Sequence, residues 1–241
     1  MLTDSPQNPL YERYASPEMA RLFSARHRFH TWRRLWITLA ESERELGLPI
    51  TAEQIAALKQ TREDVDLDRV AEIERRTRHD VVAHIRHYAE QADRVHPGAG
   101  GIIHLGATSA FITDNTDVLL IREALELLAG RLASTVSELA GFARRTRALP
   151  TLAYTHFQPA QLTTVGKRAC LWCHDFVLDL EELEHRLATL RFRGAKGTTG
   201  TQASFLSLFD GDHAKCDQLD QHVTERFAFS ESFTGLLSSS V

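Results

Sequence analysis

The sequence predicts an all-α fold, and three observations carry that prediction. Apolar residues return at three- and four-residue spacings through most of the chain, alternation of period two never lasts beyond a few residues, and two apolar stripes run long enough for bundle helices. The expected architecture is an N-terminal helical domain over residues 1–105, followed by the start of a long-helix bundle over 106–241.

From about Ser16 to Leu46, the side chains of Leu22, Trp32, Leu35, Trp36 and Leu39 keep to one helical face. One long helix, or two, is expected there, stopped by Gly47 and Pro49. Thr51 and Gln54 have the form of a capping box, which starts a short helix to about Lys59. Leu67, Val70, Ile73, Val81, Ile85 and Tyr88 form the next face between Asp66 and Ala92, interrupted by the polar run Arg75 to Asp80. Pro97, Gly98, Gly100, Gly101 and Gly106 then crowd a stretch that a regular helix tolerates badly, and the domain junction is expected there. Beyond it, Leu125, Leu128, Leu132, Val136 and Leu139 stripe a helix from about Asp117 to Arg147, which Pro150 ends. At ~1.5 Å per residue it spans about 45 Å. Phe176, Leu180, Leu183, Leu187 and Leu190 stripe a second long helix from about Thr164 to Arg191 with heptad-like spacing. Polar loops are expected at Pro150 to Gln161 and at Gly194 to Ser204.

Composition removes several classes of function. With 43% hydrophobic residues the chain can bury a core, which excludes a disordered or fibrous polymer. Its 28 lysines and arginines against 32 acidic residues leave a formal net charge of −4, so nucleic acid is not an expected partner. No window offers the roughly 18 uninterrupted apolar residues that cross a bilayer, so no membrane association is expected. Met1 to Pro9 lacks the basic-then-apolar order of a signal peptide and is expected to be a loose arm. Three cysteines make no disulfide framework, and a cytoplasmic location is expected. Cys170-Leu171-Trp172-Cys173-His174 lacks further ligands at zinc-site spacing, so no metal is expected; His84 and His87 are expected to be structural.

Loops that break long helices hold the unpaired N–H groups and hydroxyls that helices keep to themselves. Four such segments stand out: Arg13 to Met19, Arg78-His79-Asp80, His104 to Ser109 with Asp114-Asn115-Thr116-Asp117 behind it, and Thr155 to Gln161. Taken singly, Arg13, Arg78 and Asp80 also fit solvated surface ions, and Thr108 and Ser109 also fit helix caps.

Taken together, and with Lys196 to Ser204, these segments resemble the adenylosuccinate lyases of the fumarase/aspartase superfamily, nearest their animal-type branch, from roughly Tyr11 to Ser232. Arg78-His79-Asp80 and the Thr155 to Gln161 segment are the most specific parts of the match. The resemblance implies β-elimination of fumarate from adenylosuccinate, giving AMP, and from the succinyl-carboxamide ribotide of purine biosynthesis. It also implies a homotetramer that acts on a small purine nucleotide without a cofactor. Such an elimination needs a base beside a carboxylate, donors for the carbanion-like charge, and an acid for the departing nitrogen. By resemblance His156 is the general acid, and His79 is the second histidine, which assists binding and proton transfer. Thr155 and Gln158 orient the imidazole or the succinyl group. Arg13, Tyr14, Arg78 and Asp80 match nucleotide-binding positions, and Thr108 and Ser109 match residues that contact the succinyl portion. Lys196 to Thr201 is expected close to the site.

The chain also departs from the family pattern. Family members are about twice this length, and their flexible Ser-Ser-x-x-x-Pro-x-Lys-x-Asn loop, which carries the catalytic base serine, has no counterpart here. Ser238-Ser239-Ser240-Val241 only echoes it, and Leu236-Leu237-Ser238 stands where the family has a substrate-binding glutamine. A truncated lyase chain, inactive alone, is therefore expected. Two alternatives stand beside it: a non-catalytic nucleotide-binding or subunit-capping relative, and an argininosuccinate- or fumarate-type lyase.

Overall fold

The structure, a computed structural model, describes residues 8–234. The expected arm before Asn8 and the segment Leu236 to Val241 lie outside the described residues. The described chain is mostly helical, as the apolar stripes predict. After a first helix, α1 (Pro9–Tyr14), the stretch where one helix or two were expected holds two, α2 (Pro17–Leu22) and α3 (Ala25–Glu45). The hydroxyls of Ser16 and Ser24 accept the N–H groups of Met19 and His27, so Ser16 caps the start of the stretch and Ser24 caps the helix that divides it. Gly47 ends α3 in the left-handed region, at φ 99°. Its N–H donates to the Arg44 carbonyl at 3.0 Å and that of Leu48 donates to Glu43 at 3.1 Å, the paired bonds of a Schellman stop. Thr51 and Gln54 make both halves of the capping box that starts α4 (Ala52–Gln60). The break expected between Arg75 and Asp80 falls at Arg78, between α5 (Leu67–Thr77) and α6 (Asp80–Val95).

After a 3₁₀ turn at Ala99–Ile102, α7 (Ser109–Arg145) begins well before the expected Asp117. The expected loop from Pro150 is instead an antiparallel hairpin of β1 (Pro150–Thr155) and β2 (Gln158–Thr164), followed by α8 (Val165–Thr189), α9 (Ala203–Leu208) and α10 (His213–Arg226). Thr151, Thr155, Thr163 and Thr164 supply the β-branched positions that favour extended backbone. A bulge between Leu152 and Tyr154 breaks the pairing register.

The chain forms two compact units. The first takes the described residues up to Leu120 together with those from Arg191 onward, and the second spans Ile121–Leu190. These units fall elsewhere than the boundary expected between residues 105 and 106. The Gly-rich stretch lies inside the first unit, where a side chain on Gly106 would strike Phe205 and Leu208 of α9. Trp36, Leu35, Leu39, Leu58, Ile73, Tyr88, Ile112 and Leu120 form the core of that unit. Arg33 is buried among them, with its guanidinium 4.2 Å over the Tyr88 ring and donating to Thr61 O at 2.5 Å and Gln91 Oε1 at 2.8 Å. Burial lowers its pKa to about 10, which leaves it charged at neutral pH.

The second unit holds the rest of α7, the hairpin and α8, and it buries little: Ala124, Ala143, Gly166 and Ala169 are enclosed, whereas Leu128, Leu171, Trp172 and Leu178 are exposed. Gly166 is where α8 meets the end of α7. A Cβ there would stand 2.8 Å from the Arg147 Cα and N, and closer still to the Ala143 carbonyl oxygen. We expect Gly166→Ala to destabilise the chain by roughly 1–3 kcal/mol. Gly130→Ala, at an exposed helical position with open space around it, should instead stabilise it by about 0.8–1 kcal/mol. The two urea midpoints should shift in opposite directions; a shared direction would contradict the close approach at Gly166.

Candidate active site

The break between α5 and α6 makes the first half of the site. Arg78 is left-handed at φ 57° and ends α5, its N–H donating to the Glu74 carbonyl at 2.8 Å. His79 then takes the N-cap of α6. Its Nδ1 lies 3.5 Å from the Val82 N–H and 3.3 Å from Asp80 Oδ1. The neutral ring can accept from Val82, and the protonated ring can donate to Asp80, so both protonation states have a partner. On the other side of the ring, Nε2 stands 3.3 Å from the Ser109 hydroxyl at the start of α7.

Next to it, Thr108 Oγ1 lies 2.9 Å from Thr198 Oγ1, which brings the Gly/Thr-rich segment to the same place. Within that segment Lys196 is committed elsewhere. Its Nζ donates to both oxygens of Asp220, at 2.9 and 3.0 Å, and Asp220 also accepts the Ser232 hydroxyl and the Ala195 N–H, each at 2.5 Å.

The structure therefore gathers His79, Asp80, Thr108 and Ser109 with Thr198 in the first unit. Arg78 is adjacent in the chain, and its exposed guanidinium makes no hydrogen bond or ion pair with a described residue. Arg13 and Tyr14 are exposed at the end of α1 and make no hydrogen bond to the cluster. Thr155, His156 and Gln158 belong to the second unit. There the pairing of Thr155 with Gln158 leaves a two-residue turn, His156 and Phe157, with φ of 49° and 60°. Left-handed backbone at both central positions is the type I′ pattern, which usually takes Asn-Gly; its cost for two L side chains is about 1–2 kcal/mol each. The turn leaves the His156 ring exposed, beside a Phe157 that is 100% exposed.

Sequence reasoning gave no individual role to two residues of the first unit, Trp36 and His104. Trp36, taken only as part of an apolar face, donates its indole N–H to His104 Nδ1 at 2.9 Å. Burial, with the charge of His79 second, holds His104 at a pKa of about 4. A polar atom inside an apolar stripe leaves no periodicity, so only the indole's identity could have flagged it. A cleft of about 630 Å³ lies elsewhere in the first unit, lined by Glu41, Arg44, Glu45, Lys59 and Arg226 among others. Lys59 pairs with Glu41 at 2.5 Å, Arg226 pairs with Glu45, and none of the predicted site residues lines it.

Among the described residues, no three metal-ligating side chains stand together, and no helix is long and apolar enough to cross a membrane. Cys170 is exposed on α8, and Cys173 lies 3.7 Å from the Val136 carbonyl.

Residues 12–224 match the lyase family model. The chain belongs to that family. It is 47% identical over 235 residues to the adenylosuccinate lyase of Saccharomyces cerevisiae, covering 95% of this chain and 48% of that relative. To the adenylosuccinate lyase of Schizosaccharomyces pombe it is 48% identical over 234 residues, covering 95% of this chain and 47% of the relative. The crystal structure of fumarate lyase from Mesorhizobium sp. BNC1 superposes with a TM-score of 0.76 at 25% identity, over 91% of this chain and 50% of that one. The chain spans about half the length of the curated relatives it matches.

Two histidines, the buried His84 and the half-buried His104, give the first unit a pH dependence. His84 packs against Phe29 and Trp32, and burial, with Arg33 second, lowers its pKa to about 4, the value His104 also has. An unfolded histidine titrates near ~6.5, so as the pH falls the unfolded chain takes up these protons first. The stability that these two histidines contribute is therefore full above about 6.5 and is lost as the pH drops toward 4. We expect the urea midpoint to decline across that window, and His84→Phe, which fills the same stack and cannot charge, to decline less steeply. Identical slopes would contradict the neutral burial of His84.

Proposed function

We propose that this chain serves the β-elimination of fumarate from adenylosuccinate, giving AMP, and from the succinyl-carboxamide ribotide of purine biosynthesis. The observation that carries this is its 47% and 48% identity to two adenylosuccinate lyases over 95% of its length. In the proposal His156 protonates the departing nitrogen, and its exposure on a two-residue turn supports access to a substrate. His79 assists binding and proton transfer, and partners for both of its protonation states support that role. Thr108 and Ser109 hold the succinyl portion. Arg13, Tyr14, Arg78 and Asp80 hold the nucleotide, with the unpaired Arg78 guanidinium suited to an anionic oxygen. Thr155 and Gln158 orient His156 or the succinyl group. Proton transfer and charge stabilisation are within the reach of side chains, so no cofactor enters the scheme.

The apolar side chains that the second unit leaves exposed on α7 and α8 favour a homo-oligomer, which we take to be a tetramer working in the cytoplasm. The family's base serine has no counterpart in these 241 residues, so turnover depends on a group supplied from outside them. A chimera in which this chain replaces the matching segment of the S. cerevisiae relative tests the proposal. It should convert adenylosuccinate to AMP and fumarate, and His156→Gln and His79→Gln should each lower kcat by roughly 10²–10⁴-fold. A chimera that assembles and binds AMP without turnover would favour the non-catalytic alternative. Turnover by the isolated chain would overturn the need for an outside base.

A further inference from the structure

His104 opens the turn that runs through Gly106 to Thr108 and Ser109, and its backbone is left-handed at φ 68°. The half-buried His104 ring is held by Trp36. The indole N–H reaches His104 Nδ1 at 2.9 Å, and the two rings meet edge to face at 87° with centroids 6.1 Å apart. Trp36 is itself buried, with Trp32 and Tyr88 at centroid distances of 6.1 and 6.0 Å, so its ring is confined.

An indole N–H can only donate. His104 Nδ1 must therefore offer its lone pair, and in the neutral ring the proton sits on Nε2. No described residue takes a hydrogen bond from Nε2, and that nitrogen is not sealed from solvent. Burial keeps the ring neutral at physiological pH.

We propose that Trp36 is a positioning residue of the active site: it locks His104 as the Nε2–H tautomer, so that the turn leading to Ser109 presents an uncharged donor to an acceptor oxygen of the substrate. An uncharged donor suits this place, because it can hold an oxygen across the neutral pH range without adding a positive charge near His79. The use of the donor rests on the lyase function proposed above; the tautomer does not.

Nitrogen-15 NMR of the histidine-labelled chain tests the lock, with the His104 signals assigned by their loss in His104→Asn. In the unaltered chain Nδ1 should read as unprotonated and Nε2 as protonated, unchanged between neutral pH and about 5. In Trp36→Phe, which keeps an aromatic ring but loses the N–H, the two nitrogens should converge toward averaged values. A proton found on Nδ1 in the unaltered chain would overturn the inference, whatever the chimera does, as would a Trp36→Phe chain whose nitrogens do not move. Should Trp36→Phe fail to fold, the spectrum of the unaltered chain decides alone. In the yeast chimera the same substitution should lower kcat/KM for adenylosuccinate by roughly tenfold, as expected for one lost hydrogen bond. A locked tautomer in a chimera without turnover would overturn the lyase function and leave the lock standing.

Discussion

Asn115 closes the first unit, and the placing of the Thr108 hydroxyl against Thr198 depends on that closure. The chain leaves this unit after Leu120 and returns at Arg191, so something must fix where it comes back. The buried Asn115 carboxamide does this with four hydrogen bonds. Its Nδ2 donates to the carbonyls of Phe111 at 2.8 Å and Gly194 at 3.1 Å, and its Oδ1 accepts the N–H groups of Arg193 at 3.0 Å and Gly194 at 3.2 Å. Among side chains of this size, only a carboxamide both donates twice and accepts twice. An aspartate would lose the donors and a leucine would lose all four bonds, each leaving buried backbone groups unpaired at about 1–3 kcal/mol apiece. Downstream of this anchor, Asp220 gathers Ala195, Lys196 and Ser232, and the chain then runs on to Thr198.

Both histidines proposed for proton transfer sit at breaks in regular structure. His79 follows the left-handed Arg78 that separates α5 from α6, and His156 is one of two left-handed residues in the turn between β1 and β2. Each break costs the backbone about 1–3 kcal/mol, and each frees a ring that an uninterrupted helix or strand would hold against its neighbours. In the first unit the freed ring is met at once by Ser109, Asp80 and the Val82 N–H. In the second unit it is left to solvent, together with much of the apolar surface of α7 and α8.

Much of this was legible in the sequence where the signal is local. The capping box at Thr51, the stop at Gly47 and the break before Asp80 each depend on residues a few positions apart, and each stands in the structure. The apolar face of Trp32, Leu35, Trp36 and Leu39 is buried as its spacing requires. The hairpin was missed because its turn is His156-Phe157 rather than Asn-Gly and its strands do not alternate apolar with polar residues. The early start of α7 was hidden by the glycines just before it. The division into units turned on Asn115 and Gly194, which are 79 positions apart and leave no periodicity to read. The positions of Arg13, Tyr14 and Gln158 came from resemblance alone, since an exposed polar residue carries no local mark of function.

The most direct test of this account is amide hydrogen exchange on Asn115→Ala beside the unaltered chain. Protection should fall at residues 192–201 and at the start of α7, where the anchored partners lie, while α4, α5 and α6 keep theirs. Unchanged protection in both anchored segments would mean that the returning chain is held by other contacts, and the closing role given to Asn115 would be wrong.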